Sequence, residues 1–375
     1  MSRIAVLGAG IVGRAAAWDL ARRGHGVRVA DIDGGAAASV GAEMNIPFDV
    51  LDADDAGALA TVILGADLVV SAVPYSFGER VAAAAIAAGC HYLDFGGNPT
   101  VVAAQLRLDD RARASGVTVV PDCGLAPGLA DVLAVGEVEA LGPGPVDQVG
   151  IRVGAIPAEP RGALGYQLAF SPGGLINEYA ELCEVLRDGR LTKVEPLTEF
   201  EEVDWPGLGT LEAFHTAGGS SSLARLWEGR VARMDYKTLR YPGHGKVFRS
   251  LLELGMFSQE SLGESGLSRR SVLMGALAEN LPRGEQDLVL VRTWASARRG
   301  GQPRSVGHQM LDRHDGRFSA LARTTAFPAT ALAHLIVSGK ADKPGVRTMD
   351  EAVASDLLLE QLAPLGILAD PWQPA

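Results

Sequence analysis

Gly8-Ala9-Gly10-Ile11-Val12-Gly13 is the stretch that decides the fold of this chain. An apolar run at residues 4–7 precedes it and suits a strand buried on both faces of a parallel sheet. A helical pattern follows as far as Gly24, and a second apolar run at residues 27–30 ends on Asp31, 18 residues after Gly13. This order of strand, G-x-G-x-x-G, helix and acidic residue is typical of a dinucleotide-binding domain.

Each glycine of the motif has a physical role. Gly8 permits the tight turn, Gly10 lets the backbone approach a pyrophosphate, and Gly13 lets the helix pack closely on the strand. The helix begins at Ile11 and Val12. Its N-terminal end offers free N–H groups and a partial positive charge to the phosphates. A glycine-rich turn without a ligand is the alternative interpretation.

Asp31 predicts that the cofactor is NAD. A carboxylate at this strand end can accept hydrogen bonds from both hydroxyls of the adenosine ribose, and it would repel the 2′-phosphate of NADP. Asp33 is a competitor for this role, although its place beyond the strand suits a turn or a helix cap better.

The composition limits the class of protein. A chain of 375 residues predicts two domains, and 47% apolar with 21% charged residues is typical of a soluble α/β protein. No apolar run approaches the roughly 20 residues of a membrane-spanning helix, and a net charge of −11 argues against a nucleic-acid partner. We therefore expect a small-molecule substrate, and neither a membrane nor a nucleic-acid partner.

The cysteines predict a cytoplasmic protein without a metal site. There are three, Cys90, Cys123 and Cys183, with no C-x-x-C pair, which indicates a reducing compartment and argues against a disulfide framework or a zinc site. No cluster of His, Cys and Asp has metal-ligand spacing along the sequence. The chain begins directly with a strand, so we expect no signal peptide.

The nucleotide-binding pattern continues through short strands at residues 48–51, 67–72, 91–95 and 117–120. Six strands alternating with helices predict a doubly wound parallel sheet in the order 3-2-1-4-5-6. Ligands of such sheets bind beyond the C-terminal ends of the strands. The residues predicted on that rim are Ala72, Pro74, Asp94 and Gly96 as cofactor contacts, Tyr75 beside the nicotinamide or as a hydrophobic plug, and Asp122.

After residue 123 the pattern changes to strand after strand. Strands are predicted at 146–156, 166–171, 210–216 and 231–241, with a hairpin of 288–297 and 304–311 and a further strand after Asp315-Gly316. This predicts an α+β domain with an open, antiparallel-rich mixed sheet. The expected domains are 1–123 for NAD binding (Rossmann fold), 124–322 for substrate binding and dimerisation, and 323–375, with an apolar helix at 330–337, returning to the first.

Three polar clusters interrupt the second domain, at residues 170–179, 211–222 and 236–244. The stretches at residues 211–219 and 236–244, together with the glycine motif and Asp122-Cys123-Gly124-Leu125-Ala126-Pro127-Gly128, resemble the saccharopine dehydrogenase-like reductases, and within them the bacterial L-lysine 6-dehydrogenases. The resemblance covers nearly the whole chain, with one departure at Asp131, where an amide is expected. It implies NAD-dependent oxidative deamination of the lysine side-chain amine to 2-aminoadipate 6-semialdehyde, which cyclises to piperideine-6-carboxylate.

This chemistry needs a base, because hydride can leave only from carbon bearing a neutral amine. His215 is the first candidate, since its ordinary pKa of about 6.5 suits the task; a buried histidine bonded to a neighbouring strand is the alternative. Lys237 could serve if desolvated, although strand alternation suggests a solvent position. Asp122 could polarise the base, or it could cap a loop.

Arg240 is the predicted anchor of the substrate α-carboxylate, because its planar fork matches a carboxylate; an interdomain salt bridge is the alternative. Glu178 could hold the α-ammonium or only favour a helix dipole. Thr216 and His244 are the other candidate pocket residues, and His244 could instead be a turn residue.

Two other functions remain open. Reductive condensation of the semialdehyde with glutamate, giving saccharopine, would need a second carboxylate pocket, for which Arg225, Arg230 and Arg233 are candidates. A non-catalytic NAD-binding regulator would not need the polar clusters. We also expect a homodimer formed through the strand domain, because an open sheet with an exposed edge invites pairing.

Overall fold

The structure is a computed structural model, which describes residues 1–220, 222–284 and 286–374. The chain forms two compact units: unit 1 comprises Met1–Gly136 and Ala322–Leu368, and unit 2 comprises Glu137–Leu321 and Ala369–Ala375. The boundary expected at residue 123 therefore falls inside unit 1.

The N-terminal part alternates strands with helices. Its elements are β1 (Arg3–Leu7), α1 (Ile11–Arg22), β2 (Gly26–Asp31), α2 (Gly34–Met44), β3 (Phe48–Val50), α3 (Ala56–Ile63), β4 (Leu68–Ser71), α4 (Gly78–Ala87), β5 (His91–Asp94), α5 (Pro99–Leu106), α6 (Asp109–Ala114), β6 (Thr118–Val120) and α7 (Leu129–Ala140). Asp33 is the N-cap of α2, because its carboxylate accepts hydrogen bonds from the N–H groups of Gly35 and Ala36.

The rest of the chain is richer in strands. Its elements are β7 (Val146–Pro157), α8 (Pro172–Ala180), β8 (Cys183–Arg187), β9 (Arg190–Val194), β10 (Glu201–Trp205), β11 (Gly209–His215), α9 (Leu223–Leu226), β12 (Val231–Arg240), α10 (His244–Glu253), α11 (Arg269–Asn280), β13 (Asp287–Arg299), β14 (Gln302–Arg313), α12 (Ala320–Val337), β15 (Gly345–Val346), α13 (Met349–Ala352), α14 (Ser355–Leu362) and β16 (Asp370–Pro371).

Two predicted strands are wrong. Residues 166–171 form no strand and lead into α8, whose N-cap Ser171 accepts a hydrogen bond from Gly174 N–H ahead of Pro172 at the first helical position. Residues 314–319 also form no strand, because α12 begins ten residues earlier than predicted. Its first N–H groups, at Ala320 and Leu321, donate to the carboxylate of Asp287.

Unit 1 contains a seven-stranded parallel sheet in the order β15-β6-β5-β4-β1-β2-β3. This confirms the predicted order of the first six strands and adds β15 beside β6. The longest helix, α12, is long and apolar enough to cross a membrane, but 78% of it is buried inside the protein, as in a core helix.

Unit 2 contains a nine-stranded mixed sheet along the path β10-β11-β12-β7-β13-β14-β16, with β8 on β12 and β9 on β8. Only β12 and β7 run parallel among these pairs of described residues. The fold class is therefore confirmed.

The sheet of unit 2 has two different faces near its middle. Phe214 pairs with Thr238 and His215 pairs with Lys237 across β11 and β12, and alternate residues of a strand point to opposite faces. We call the face that carries Phe214, Thr238 and Arg240 the Arg240 face, and the opposite one the Lys237 face. Separate apolar clusters, one containing Phe214 and the other Leu239, cover the two faces.

Candidate functional site

The glycine loop of unit 1 fits a dinucleotide. A Cβ on Gly8 would lie 2.6 Å from the carbonyl oxygen of Ala72, and one on Gly13 only 1.9 Å from that of Gly8, so both glycines are required by the fold. A Cβ on Gly10 would meet nothing within 4 Å. The protein therefore has no need of glycine at position 10, and the open space suits the approach of a pyrophosphate to the start of α1.

Asp31 joins the end of β2 to this loop. Its Oδ2 accepts a hydrogen bond from Ala9 N–H at 2.6 Å, and its Oδ1 accepts one from Asp33 N–H at 2.8 Å. Each carboxylate oxygen can accept a second bond, so the side chain can still receive ribose hydroxyls. Residues 31–36 contain no lysine or arginine that would bind a 2′-phosphate.

The rim residues of unit 1 surround a cavity of about 120 Å³. Its lining includes Val12, Ala72, Pro74, Tyr75 and Gly96, so the structure brings these predicted residues together. Tyr75 is 41% exposed, which is inconsistent with a buried hydrophobic plug.

Asp94 also lines this cavity, but its carboxylate is fully used within the protein. Oδ1 accepts hydrogen bonds from the N–H groups of Gly96 and Asp122, and Oδ2 accepts them from Tyr92 Oη and Gln105 Nε2. Four donors fill the acceptor capacity of a carboxylate. Asp94 therefore fixes the ends of β5 and β6, and its side chain has no acceptor site left for a cofactor.

Asp122 lies directly beside Gly96, at the end of β6. A Cβ on Gly96 would come within 1.7 Å of Asp122 Oδ1, so glycine is required there. Asp122 itself has a left-handed backbone, with φ of 59°, and is buried. The next residue, Cys123, is a poor nucleophile, because burial raises the pKa of its thiol well above the ordinary value.

Arg240 forms the centre of a buried cluster on its face of the unit 2 sheet. Its Nε donates to Tyr179 Oη at 3.2 Å, its Nη1 donates to Leu239 O at 3.0 Å, and its Cζ lies 5.1 Å from the centre of the Tyr166 ring. Among the described residues, the one carboxylate within 4.0 Å is that of Glu178, at 3.9 Å. The guanidinium is thus buried beside tyrosines with only a distant counter-ion.

His244 completes the cluster as a neutral residue. Because Tyr179 Oη accepts from Arg240, its hydroxyl proton is available for His244 Nε2 at 2.9 Å, and His244 Nδ1–H can donate to Leu164 O at 3.0 Å. Burial and the nearby charge of Arg240 lower the pKa of His244 to about 3. Both ring nitrogens are engaged, so His244 orients Tyr179.

Glu178 stands on α8 with a side chain that is 34% exposed. Desolvation raises the pKa of Glu178 to about 7, although Arg240 opposes the shift. Thr216 lies on the Arg240 face of the sheet, where its hydroxyl oxygen is 2.7 Å from that of Thr238. A carboxyl group that titrates near neutrality and a buried guanidinium together suit the ammonium and carboxylate of an amino acid.

His215 and Lys237 lie on the opposite face, which corrects the expectation that they share a site with Arg240. His215 is fully buried, with Nδ1 3.3 Å from Tyr236 O and Nε2 3.2 Å from Glu199. Lys237 was expected near solvent, yet it is buried and donates to Glu201 at 2.9 Å.

His215 belongs to a group of three potential metal ligands that the sequence spacing did not predict. Ligand atoms of Glu199, His215 and Asp235 lie within 4.8 Å of one another. Arginines already pair with both carboxylates, Arg187 with Glu199 and Arg152 with Asp235. Ion pairing therefore accounts for the cluster.

Sequence reasoning left Tyr166 and Tyr179 unassigned, although Tyr179 follows Glu178 in the first polar cluster. The three arginines proposed for a second carboxylate pocket, Arg225, Arg230 and Arg233, are all exposed. Arg225 forms a double hydrogen bond with Glu184.

Comparison with known proteins identifies the family of the chain. The model of the saccharopine dehydrogenase NADP binding domain matches residues 4–120, and that of the saccharopine dehydrogenase C-terminal domain matches residues 124–367. Two curated relatives are both named saccharopine dehydrogenase [NADP(+), L-glutamate-forming]. The one from Pyricularia oryzae is 27% identical over 68% of this chain and 58% of its own length, and the one from Saccharomyces cerevisiae is 26% identical over 56% and 48%.

This chain thus spans about half the length of the curated relatives it matches. A solved structure of apo saccharopine dehydrogenase (L-Glu forming) from Saccharomyces cerevisiae covers 100% of both chains at 18% identity, with a TM-score of 0.83. That likeness shows the same fold, and the two family models together match nearly the whole chain. The protein therefore belongs to the saccharopine dehydrogenase family.

Proposed function

We propose that this protein is a nicotinamide-dependent oxidoreductase that acts on the side-chain carbon–nitrogen bond of lysine or a lysine-derived amino acid. The observation that carries the proposal is Arg240, a buried guanidinium whose nearest carboxylate among residues 1–220, 222–284 and 286–374 is 3.9 Å away. A substrate α-carboxylate would balance this charge through a bidentate pair, and Glu178 would receive the α-ammonium.

Two substrates are compatible with this anchor. The first is saccharopine, because both curated relatives are named as glutamate-forming saccharopine dehydrogenases. The second is L-lysine, which would be deaminated. Lysine has no extra carboxylates to bind, and the arginines considered for those of saccharopine are exposed: Arg225, Arg230 and Arg233. One experiment separates them: formation of reduced nicotinamide from saccharopine and from lysine, with each of NAD and NADP. Cofactor binding without turnover of either substrate would favour a regulator.

Oxidation of the C–N bond requires a proton to leave nitrogen as hydride leaves carbon. When bound, the nicotinamide accepts that hydride. We propose that Asp122 takes this proton, because it lies beside Gly96, which lines the predicted cofactor cavity of unit 1. Hydrolysis of the imine then releases the amine nitrogen and leaves the semialdehyde.

NAD is the proposed cofactor, although the names of the family model and of the curated relatives specify NADP. Asp31 carries the argument, because a 2′-phosphate would face its carboxylate with no cation among residues 31–36. Replacing Asp31 with Ser should therefore lower the ratio of kcat/KM for NAD over NADP by about tenfold or more. A wild-type enzyme that prefers NADP would contradict this assignment.

Glu178 should make catalysis depend on pH near neutrality. Because its raised pKa of about 7 leaves it protonated at lower pH, the α-ammonium loses its partner there. We expect kcat/KM to rise with pH through about 7, and Glu178→Gln to lower kcat/KM and remove this rise. An unchanged profile in the variant would assign the titration to another group.

A homodimer formed through unit 2 remains our proposal. β14 spans Gln302–Arg313, but only His308 and Gln309 pair with β16, which leaves most of that strand edge for a second copy. Light scattering at micromolar concentration should give twice the chain mass of 39.2 kDa. A monomer under those conditions would refute the proposal.

A further inference from the structure

A groove of about 380 Å³ opens on unit 2, away from the Arg240 cluster. Two buried arginines line it, Arg152 on β7 and Arg292 on β13, and Trp294 and Trp372 form part of its walls. In the register of the sheet, Arg292 on β13 lies opposite Arg152 on β7, and Arg152 lies opposite Lys237 on β12. The groove therefore belongs to the Lys237 face.

Arg152 is electrically balanced inside this groove. It forms ion pairs with Glu201 and with Asp235, the latter at 2.8 Å, and Lys237 shares Glu201 at 2.9 Å. Two cations and two carboxylates thus compensate each other.

Arg292 has no such partner. It is only 8% exposed, yet no carboxylate of the described residues lies within 4.0 Å of its nitrogens. Nε and Nη2 donate to neutral oxygens, those of the Gln309 amide and the Asp204 carbonyl, and Nη1 forms no hydrogen bond to a described residue. A buried charge of this kind is costly unless something pairs with it.

Aromatic rings hold the guanidinium in place. Its Cζ lies 4.6 Å from the ring centres of both Trp205 and Trp372. Burial lowers the pKa of Arg292, although the charges of Asp204 and Glu201 oppose the shift. Glu202 and Asp204 also line the groove, but they alternate along β10 with Glu201 and Trp205, so their side chains point to the other side of the strand. Asp204 accepts a hydrogen bond from Thr210 there.

We propose that this groove binds a small, singly charged carboxylate with a flat apolar body. The carboxylate would accept hydrogen bonds from Nη1 of Arg292, and the body would lie against Trp294 and Trp372. A planar guanidinium matches a carboxylate in shape, and Arg292 has no ion pair with a carboxylate of the described residues. The inference rests on Arg292 and does not depend on the reaction proposed above.

Binding of benzoate to the full chain tests the proposal, with tryptophan fluorescence and the shift in Tm as readouts. We expect a saturable response to benzoate and none to the uncharged benzamide. Arg292→Gln should weaken benzoate binding at least about tenfold. Arg298→Gln removes the same charge from an exposed arginine on the same strand, and it should bind like the wild-type chain.

Equal responses to benzoate and benzamide, or full binding by Arg292→Gln, would overturn the proposal. Inorganic phosphate that binds more tightly than benzoate would overturn the choice of a carboxylate. If Arg292→Gln converts a dimer to monomers, the occupant is a second copy and the small-ligand site is refuted. Should Arg292→Gln fail to fold, Trp372→Leu must show weakened benzoate binding; unchanged binding in that variant contradicts the proposed wall.

Discussion

Replacing Arg240 with Met should raise the KM for the amino-acid substrate about 30- to 900-fold, which corresponds to about 2–4 kcal/mol. Arg240 is 3% exposed, and no carboxylate in the part of the chain that the structure describes lies closer than 3.9 Å to its guanidinium. A desolvated pair with the substrate carboxylate is therefore worth much more than a surface ion pair. Steady-state kinetics should show a smaller change in kcat and an unaltered affinity for the dinucleotide.

A substrate without the α-carboxylate is the control for this prediction. If lysine is the substrate, cadaverine lacks the group that Arg240 would bind. The wild type should use it poorly, and Arg240→Met should use it about as poorly as the wild type does. Equal losses for lysine and cadaverine would show that Arg240 supports the fold of the cluster with Tyr179 and Tyr166.

Replacing Asp122 with Asn should lower kcat by about 10²–10⁴, the range expected when a general base is lost. Asparagine has nearly the same shape, so the tight contact with Gly96 can remain. KM should change little. Pre-steady-state kinetics would locate the loss in the chemical step.

Asp131→Asn is the matched control, because it removes a buried carboxyl group eight residues after Cys123, on α7. Burial raises the pKa of Asp131 well above its ordinary value, which favours the uncharged form of its carboxyl group. Its Oδ2 accepts a hydrogen bond from Gly128 N–H, which the amide oxygen can also accept. We expect nearly wild-type kcat, whereas equal losses in both variants would indicate that Asp122 only supports the loop.

The sequence predicted unit 1 better than unit 2 for a physical reason. Each strand of a doubly wound sheet is a continuous apolar run, and short right-handed connections leave few possible orders. Residues 166–171 look like a strand because polar and apolar residues partly alternate there. The cap at Ser171 and the proline after it override that pattern.

The candidate site shows a different limit. The sequence indicates the polar clusters, but alternation along one strand does not show which face of the sheet carries the binding site. Lys237 and Arg240 are three positions apart on one strand, an odd spacing that places them on opposite faces. His215 lies on the same face as Lys237 because of the register between β11 and β12. That register depends on pairing between separate strands, which the sequence alone does not show. The role of His244 could not be predicted either, because it requires Tyr179, 65 residues away.

Asp31 has a consequence for how cofactor preference can evolve in this scaffold. The carboxylate that we propose as the acceptor of the ribose hydroxyls also accepts hydrogen bonds from the N–H groups of Ala9 and Asp33, so it supports the turn on which a dinucleotide would rest. A substitution that admits an extra phosphate leaves two backbone donors to find new acceptors, at a cost of about 1–3 kcal/mol for each one that stays buried and unsatisfied. A lineage that changes preference should therefore first acquire stabilising substitutions elsewhere, and Asp31→Ser should be tolerated better in a thermostabilised background than in the wild-type chain.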